Sequence, residues 1–450
     1  MREKRILYGI LALAVFFLLA NPVMVNGVSY KQAIDGPDYS QGEPDAYHPE
    51  IDSYESNVVM AYVKEKEDPD LGRCLSNIRI AISTNSGVNW NLREWVFTDT
   101  NRTIREYPDV HVVYDYTESG GDEGIIVVWQ EKPADDSSDW VIKARERTGF
   151  GVNDTWQSVH TISVEDDEAD KYPKIDTFSQ SGGSSETYWN VVWQHHDDGA
   201  GSWGIQLDTY KKDSSGGSWM QSDHDIKSPI DSNEEYTHPA VACNYQSSSS
   251  CEVHIVYDSY DSSDSPAYSV EVTTGDIINS QPNHVYSAYT PPRTTTIDSA
   301  TSDADIGYPD ISSRMNESNS EVWVVWRKVT SSYNEVMFRE SVNGGQTYPL
   351  WVTVTSWGPT EALRCVAIAA DEQNGDKISV VWTYNNNVYH RNRTFNKSTN
   401  DWKWHPQVFS VTTGVDEENF VDVSIYKPNQ KAYSHICWQR FCMSTYYGRD

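Results

Sequence analysis

The chain has 450 residues, of which 38% are hydrophobic and 12% aromatic, which is enough for a large core in one closed domain. The formal net charge is −31, and an acidic surface repels nucleic acid and anionic lipid, so we exclude both as partners. We interpret the charge as a solubility adaptation, because a diffuse acidic surface does not specify a ligand.

Residues 1–27 have the layout of a signal peptide. Basic residues precede an apolar stretch over 6–20, and Pro22 and small residues follow it. An uncleaved anchor is the alternative, although the apolar stretch is short for a membrane span. No second membrane-spanning stretch follows. We therefore expect a secreted or cell-surface protein whose single domain covers 28–450.

A short apolar run that ends in an aromatic residue occurs seven times. The runs cover 58–62, 125–129, 189–193, 253–257, 322–326, 378–382 and 434–438, and their last residues are 67, 64, 64, 69, 56 and 56 positions apart. Their β-branched and aromatic content is typical of buried strands. An all-strand unit that recurs at this length predicts a β-propeller of four-stranded blades.

A second element marks where each unit begins. An aromatic residue or His followed by Pro occurs at His48-Pro49, Tyr107-Pro108, Tyr172-Pro173, His238-Pro239 and Tyr308-Pro309, and the last two units begin near Arg364 and Phe420 without Pro. Pro is tolerated at the first position of a strand. The fold class is therefore all-β, a single propeller of seven blades with six as the alternative. A strand over 28–33 would complete the short last blade and close the ring.

Two octets, 83–90 and 341–348, have the chemistry of tight turns, with Ser, Asn and Gly at matching positions. They resemble the Asp-box of the sialidase-like (BNR-repeat) propellers, Ser-x-Asp-x-Gly-x-x-Trp, with Asn85 and Asn343 in place of Asp. Looser copies cover 149–156, 212–219 and 396–402. The resemblance extends over 28–450. It implies a propeller in which these turns are structural and lie on the face away from the active site.

The functional face of such a propeller carries the residues that follow the apolar runs and those that begin the inner strands. The residues after the runs are Val63, Gln130, Gln194, Asp258, Arg327, Thr383 and Gln439. The candidate ligand-binding residues are Arg327, Arg364, Arg440, Gln130, Gln194, Asp258, Tyr107, Tyr172, His238 and Tyr308. Their rings could stack on a ligand and their amides could form hydrogen bonds with it. The alternative is that the aromatic residues before Pro pack between blades.

The resemblance also implies tests for activity. Sialidases hold a carboxylate with three Arg, one of them on an Arg-Ile-Pro motif, and use a Tyr–Glu pair and an Asp. The motif is absent here, since the early strand has His48-Pro49-Glu50-Ile51, although Arg327, Arg364 and Arg440 could reach one side of the face. The first hypothesis is therefore a protein that binds glycans or other proteins through this face. The alternatives are an exo-glycosidase of the sialidase type acting on terminal acidic sugars, and a structural component of a cell-surface layer.

Cysteine and sequon patterns agree with export. The spacings of Cys243 with Cys251 and of Cys437 with Cys442 predict two hairpin disulfides, while Cys74 and Cys365 stay unassigned. Sequons at Asn101, Asn153, Asn316, Asn392 and Asn396 predict a glycoprotein.

Metal-binding patterns are weak. His195-His196-Asp197-Asp198 lacks the spacing of a metal site. The loop 258–264 offers alternate oxygen ligands that could hold Ca²⁺, but it lacks the Gly and distal Glu of an EF-hand. We expect no cofactor, with Ca²⁺ as the one candidate, and a monomeric protein.

Overall fold

The computed structural model describes residues 46–441, apart from residues 69–72, 91, 98–102, 116–121, 135–138, 164–167, 181–185, 214–215, 248–249, 265–266, 279–285, 301–303, 317–318, 360–361, 372–375, 397, 400, 413–416 and 427–432. The described residues contain strands and turns and no helix. It follows that none of them belongs to a helix able to span a membrane. The expected signal peptide at 1–27 and the closing strand at 28–33 lie outside the described residues.

The strands of the described residues form seven antiparallel sheets, which we number as blades along the chain. Blade 1 contains β1 (Ala46–Tyr54), β2 (Asn57–Asp68), β3 (Arg73–Ser83) and β4 (Leu92–Trp95). Blade 2 contains β5 (Thr103–Asp115), β6 (Asp122–Pro133), β7 (Val141–Arg147) and β8 (Trp156–Thr161). Blade 3 contains β9 (Asp170–Gln180), β10 (Glu186–Asp197), β11 (Ser202–Asp213) and β12 (Gly216–Lys227). Blade 4 contains β13 (Glu234–Ser247), β14 (Ser250–Asp261), β15 (Tyr268–Ile278) and β16 (Tyr286–Ala300).

The remaining blades follow the same order. Blade 5 contains β17 (Ala304–Asn316), β18 (Asn319–Thr330), β19 (Asn334–Ser341) and β20 (Leu350–Trp357). Blade 6 contains β21 (Leu363–Ala370), β22 (Lys377–Tyr384), β23 (Asn387–Asn396), β24 (Asp401–Trp404) and β25 (Phe409–Ser410). Blade 7 contains β26 (Glu417–Tyr426) and β27 (Tyr433–Phe441). Residues 442–450, which follow β27, lie outside the described residues.

The first strands of the blades contact one another in a cycle. Each of β1, β5, β9, β13, β17 and β21 contacts the first strand of the next blade, and β26 contacts β1. The last contact is hydrogen-bonded, because the Ile51 amide donates to Asp422 Oδ2 at 2.8 Å and the Ser53 and Ser424 hydroxyls lie 2.6 Å apart. The chain is therefore a β-propeller whose inner strands surround a central cavity.

The seven apolar runs form the second strand of each blade, as the sequence predicts. Their closing aromatic residues are almost wholly buried in blades 1 to 6, and Trp129, Trp193, Trp326 and Trp382 are 0% exposed. Side chains of neighbouring blades pack on both faces of these strands and form the hydrophobic core. Burial on both faces explains why the runs are continuous rather than alternating.

The aromatic–Pro elements lie within the first strands, not at their first residues. The register between first and second strands shifts at this point, for example between Thr237 and Ala240. The residue before Pro has a positive φ, between 48° and 54°, in all five copies. A bulky residue in this conformation is a backbone outlier that the surrounding structure must maintain. The element is therefore a β-bulge that turns the aromatic side chain out of the strand pairing.

The two Asp-box-like octets form the same turn. Ser83 Oγ accepts the Gly87 amide at 3.0 Å, and Asn85 Oδ1 accepts the Asn89 amide at 2.8 Å. In the second octet the matching bonds are Gly345 to Ser341 and Thr347 to Asn343, both at 3.0 Å. Asn thus supplies the acceptor oxygen that an Asp would supply, which explains why the substitution keeps the turn.

Each of these turns also packs against a His of the preceding blade. A Cβ added at Gly87 would lie 3.3 Å from His435 Nδ1, and one added at Gly345 would lie 3.3 Å from His254 Nδ1. His254 and His435 occupy the second position of their apolar runs. The interface between blades 7 and 1 is thus built like that between blades 4 and 5.

The disulfide prediction is wrong for the cysteines that the structure describes. Cys243, Cys251 and Cys437 are free thiols, and Cys442 lies outside the described residues. Cys243 pairs with Val253, and Cys251 pairs with Tyr245, so the two cysteines are diagonal rather than directly opposite. Spacing in a hairpin does not reveal this offset, and the two thiols lie within hydrogen-bonding reach of each other without a bond between their sulfurs. Cys365 is also a free thiol.

Candidate binding site at the mouth of the central cavity

The residues before Pro form a ring of side chains, the collar, at one end of the central cavity. Its members are His48, Tyr107, Tyr172, His238 and Tyr308, together with Phe420 of blade 7. Neighbouring rings are in contact around most of this circle, with centroids 4.0 to 6.3 Å apart. Tyr308 and Phe420 are its most open members, 38% and 39% exposed. The ring contacts match the alternative that these side chains pack between blades, while the exposure leaves faces open to a ligand.

Glutamines of the preceding blades hold the strained backbone of the collar. Gln130 Oε1 accepts the Tyr172 amide at 3.0 Å, and Gln194 Oε1 accepts the His238 amide at 3.3 Å. Gln439 does the same for His48 at 3.4 Å. The glutamine side chains are 2 to 4% exposed. Gln130 and Gln194 were candidates for ligand binding, and the structure instead uses their amides between blades.

His238 stands out in the collar because a carboxylate orients it. Its Nδ1 lies 3.1 Å from Asp258 Oδ1 and 3.2 Å from Oδ2. Gly307 makes room for that carboxylate, since a Cβ there would lie 2.8 Å from Asp258 Oδ2. Within the described residues Nε2 has no hydrogen-bond partner, and the His238 side chain is 32% exposed. This is the arrangement of an imidazole prepared to accept or donate a proton at Nε2.

Tyr308 and Arg327 continue the cluster. The centroids of the Tyr308 and His238 rings are 4.0 Å apart. The Arg327 guanidinium lies 4.2 Å from the centroid of the Tyr308 ring. Arg327 Nη2 pairs with the exposed carboxylate of Asp305 at 2.6 Å. Burial raises the pKa of Tyr308, and the charge of Arg327 opposes that rise. We call His238, Asp258, Asp305, Tyr308 and Arg327 the mouth cluster.

The three candidate arginines, Arg327, Arg364 and Arg440, differ in the contacts that the structure describes for them. Arg327 Nη1 donates to the backbone oxygens of Leu363 and Arg364, at 3.3 and 3.2 Å. Arg364 is half-buried next to it. Arg440 belongs to β27, and its side chain lies outside the described residues. Sequence analysis missed Asp305 and Gly307, although a Gly before the collar residue occurs in blade 5 alone.

The cavity below the collar is lined by charged side chains of the first strands. It has a volume of about 190 Å³, and its lining includes Glu50, Asp109, Lys174, Asp310 and Asp422. Lys174 Nζ pairs with Glu50 Oε1 at 2.7 Å and lies 4.0 Å from Asp109 Oδ1. Burial raises the pKa of Glu50 to about 7 despite this partner, and it raises that of Asp310 to about 6. The pKa of Asp422 is held well above its ordinary value by burial and by the charge of Glu50.

Aspartates of this cavity connect neighbouring blades. One carboxylate oxygen accepts the next amide of its own strand, and the other accepts an amide of the following blade. The bonds to the following blade run from Ile51 to Asp422, Val112 to Asp52, Ile175 to Asp109, Cys243 to Asp176, and Ile368 to Asp310, at 2.6 to 2.8 Å. The acidic cavity is thus part of the framework of the ring, and the sequence motifs gave no sign of it.

The other predicted sites have local explanations. His195 lies between Glu168 and Asp170, at 2.8 and 2.9 Å, and His196 pairs with Asp198 at 2.9 Å. In the loop 258–264, Asp261 accepts the Ser263 amide and hydroxyl, at 2.7 and 2.6 Å. Among the described residues no group of three or more His, Cys, Asp or Glu is arranged to hold a metal ion. Ca²⁺ binding stays a prediction from the sequence.

Comparison with known proteins gives similarity of structure only. Neither a family model nor a curated protein matches the chain. The chain is similar to an α-L-arabinanase of Penicillium chrysogenum complexed with arabinobiose, at 13% identity and a TM-score of 0.46, over 75% of this chain and 88% of that one. It is also similar to the intramolecular trans-sialidase of Ruminococcus gnavus, at 11% identity and a TM-score of 0.40, over 88% and 94%. A polysaccharide lyase, an ulvan lyase, matches at 11% and 0.42, over 79% and 80%.

Sialidases thus occur among the similar structures, as the Asp-box-like octets predict. With TM-scores below 0.5, none of these similarities bears on the activity of the chain. The function has to be inferred from the mouth cluster itself.

Proposed function

We propose that this protein is exported and binds glycans at the mouth cluster. One observation carries the proposal: an exposed aromatic ring, Tyr308, contacts both an oriented imidazole and a guanidinium. The exposed edge of the ring can contact the apolar face of a sugar, and the charged groups beside it can hold hydroxyl or carboxylate groups. Glycans fit this combination better than proteins do, because Tyr308 is the one exposed aromatic ring of the mouth cluster and polar and charged groups surround it rather than a broad apolar patch.

The experiment is affinity electrophoresis and calorimetry of the purified mature chain with neutral and acidic polysaccharides. We expect binding to be lost in Tyr308→Ala and kept in Tyr333→Ala. Tyr333 is a suitable control because it is 36% exposed on the same blade but lies outside the mouth cluster. Loss of binding in both variants, or in neither, would place the site elsewhere.

A broad glycan panel also tests the alternatives. Hydrolysis of sialosides would support an exo-glycosidase of the sialidase type. Absence of glycan binding together with self-assembly of the purified chain would support a structural role at the cell surface.

A further inference from the structure

The mouth cluster has the groups for a proton transfer from carbon. Asp258 accepts a hydrogen bond from His238 Nδ1, which fixes the ring and leaves the Nε2 lone pair facing the mouth. Tyr308, a second proton-transfer group, packs against the imidazole with its ring tilted by 32°. Arg327 supplies a positive charge 4.2 Å from the centroid of the Tyr308 ring. Base, acid and cation therefore lie in one sector of the collar, on blades 4 and 5.

From this geometry we propose that the protein cleaves 4-linked uronic acid chains by β-elimination, an inference that rests on the glycan-binding function proposed above. The carbon–hydrogen bond at C5 of a uronate lies next to its carboxylate. The C5 proton becomes acidic enough for a base to remove it when a cation neutralises that carboxylate. Arg327 is the cation that the cluster offers for this role.

The step balances without a co-reactant. His238 Nε2 takes the C5 proton, and the C4–O4 bond breaks as a C4–C5 double bond forms. The Tyr308 hydroxyl gives its proton to the departing O4, which becomes the free hydroxyl of the shortened chain. Proton exchange with water then restores His238 and Tyr308.

The carboxylates of the cluster argue against hydrolysis. A glycoside hydrolase needs two carboxyl groups flanking the bond, one of them free to donate a proton or to attack. Asp258 is engaged by His238, and Asp305 is engaged by Arg327. With Asp258 held by His238, the cluster lacks the second free carboxyl group that hydrolysis needs beside Asp305.

Asp305 marks where the substrate carboxylate would bind. Its side chain is 57% exposed, whereas that of Arg327 is 16% exposed. An ion pair this open contributes little to stability, so an incoming uronate can displace Asp305. We expect Asp305→Asn to tighten the binding of polyuronates and to leave neutral glycans unaffected.

The decisive experiment incubates the full mature chain with polyuronates and measures two products. Elimination gives a double bond conjugated to the carboxylate, which absorbs in the ultraviolet, together with new reducing ends. Hydrolysis gives reducing ends without that absorbance. Binding to the same polymers is measured separately by calorimetry.

Matched variants assign the roles. His238→Asn should lower turnover at least about 100-fold and keep polymer binding, while His48→Asn should change neither. Both residues have positive φ, and Asn adopts that conformation readily. Tyr308→Phe keeps the stacking ring and should lose turnover without losing affinity.

The products and the binding data together distinguish the elimination activity from glycan binding alone. Unsaturated product that disappears in His238→Asn but not in His48→Asn supports the inference. Reducing ends without absorbance, or binding with no product at all, would overturn the inference and leave the glycan-binding function standing. No binding to any polymer would reject both.

Discussion

The collar carries two histidines in the same backbone setting, and they differ in chemistry. His48 and His238 have φ values of 49° and 48°, each gives its amide to a glutamine of the preceding blade, and each ring lies 4.0 Å from the next Tyr ring. His238 has Asp258 beside it. His48 has the buried Val63 at the matching position, and its Nδ1 is buried without a hydrogen bond to any described residue.

The residues below the two histidines differ as well. Two positions after His48 lies Glu50, paired with Lys174, whereas two positions after His238 lies Ala240. Burial, reinforced by the charge of Lys174, lowers the pKa of His48 to about 4. His48 is therefore neutral at physiological pH. The same bulge thus carries a buried structural ring at His48 and an oriented imidazole at His238. The carboxylate of Asp258 accounts for the difference.

The largest expected effect comes from removing the carboxylate that distinguishes His238 from His48. Asp258→Asn removes the charge that orients and stabilises His238, so we expect a loss of polyuronate turnover of roughly 10²- to 10⁴-fold. The Tyr308 ring, which we propose contacts the glycan, stays in place, so affinity should change little. Steady-state kinetics should show the loss in kcat rather than in KM. An equal loss of affinity would mean that Asp258 contacts the ligand directly.

The second effect concerns the cation below His48. Lys174→Met leaves Glu50 and Asp109 without their positive partner, so we expect a loss of about 1 to 3 kcal/mol in the free energy of unfolding at pH 8. This is below the range for wholly buried pairs, because the Lys174 side chain is 34% exposed to the cavity. Denaturant titration measures it. The control is Lys403→Met, at an exposed lysine of β24, which should leave the free energy of unfolding nearly unchanged.

The same variant should also change the titration of His48. Removing the Lys174 charge raises the pKa of His48, which NMR titration of its imidazole can follow. An unchanged His48 titration would show that burial alone holds it neutral.

A smaller effect is the pH dependence of stability on the His48 side. The pKa of Glu50 rises from 4.5 unfolded to about 7 folded, so its protonation stabilises the fold fully below pH 4.5 and this stabilisation is lost as pH rises through 7. Glu50→Gln should reduce the loss of stability between pH 5 and pH 8 by about 2 kcal/mol. Thermal unfolding across this range tests it. Glu55→Gln, exposed in the turn after the same strand, should leave the slope unchanged.

The smallest expected effect is at Gly307. Gly307→Ala pushes the flexible end of Asp258 by a few tenths of an ångström, since the new Cβ would lie 2.8 Å from Oδ2. We expect a few-fold loss of turnover and little change in melting temperature. Crystallography of the variant would show the lengthened His238–Asp258 contact. A loss as large as that of Asp258→Asn would mean that Gly307 does more than make room.

Much of the fold could be predicted from the chain because its signals are local. The apolar runs identified the second strands, and the octets identified turns whose hydrogen bonds lie within five residues. Part of the candidate site was also predictable, since His238 and Tyr308 belong to the aromatic–Pro elements and Asp258 and Arg327 directly follow apolar runs.

What could not be predicted depends on register and on contacts between blades. The bulge that gives the collar its positive φ arises from a shift in pairing, which the aromatic–Pro pattern alone does not show. The same limit applies to the cysteines, because spacing along the chain does not show that Cys243 and Cys251 are diagonal across the ladder. The pairing of Asp258 with His238 joins residues 20 positions apart, on two strands.

The contacts of the two Asp-box-like turns have a consequence for the closure of the ring. The first and last blades of a ring are usually its weak seam, since they are joined by non-covalent contacts alone. Here Gly87 meets His435 across that seam as Gly345 meets His254 across an internal one. Aspartate bonds cross the seam too, from Asp422 to the Ile51 amide. The contact between the first and last described blades is therefore built from the same kinds of interaction as the contact between blades 4 and 5.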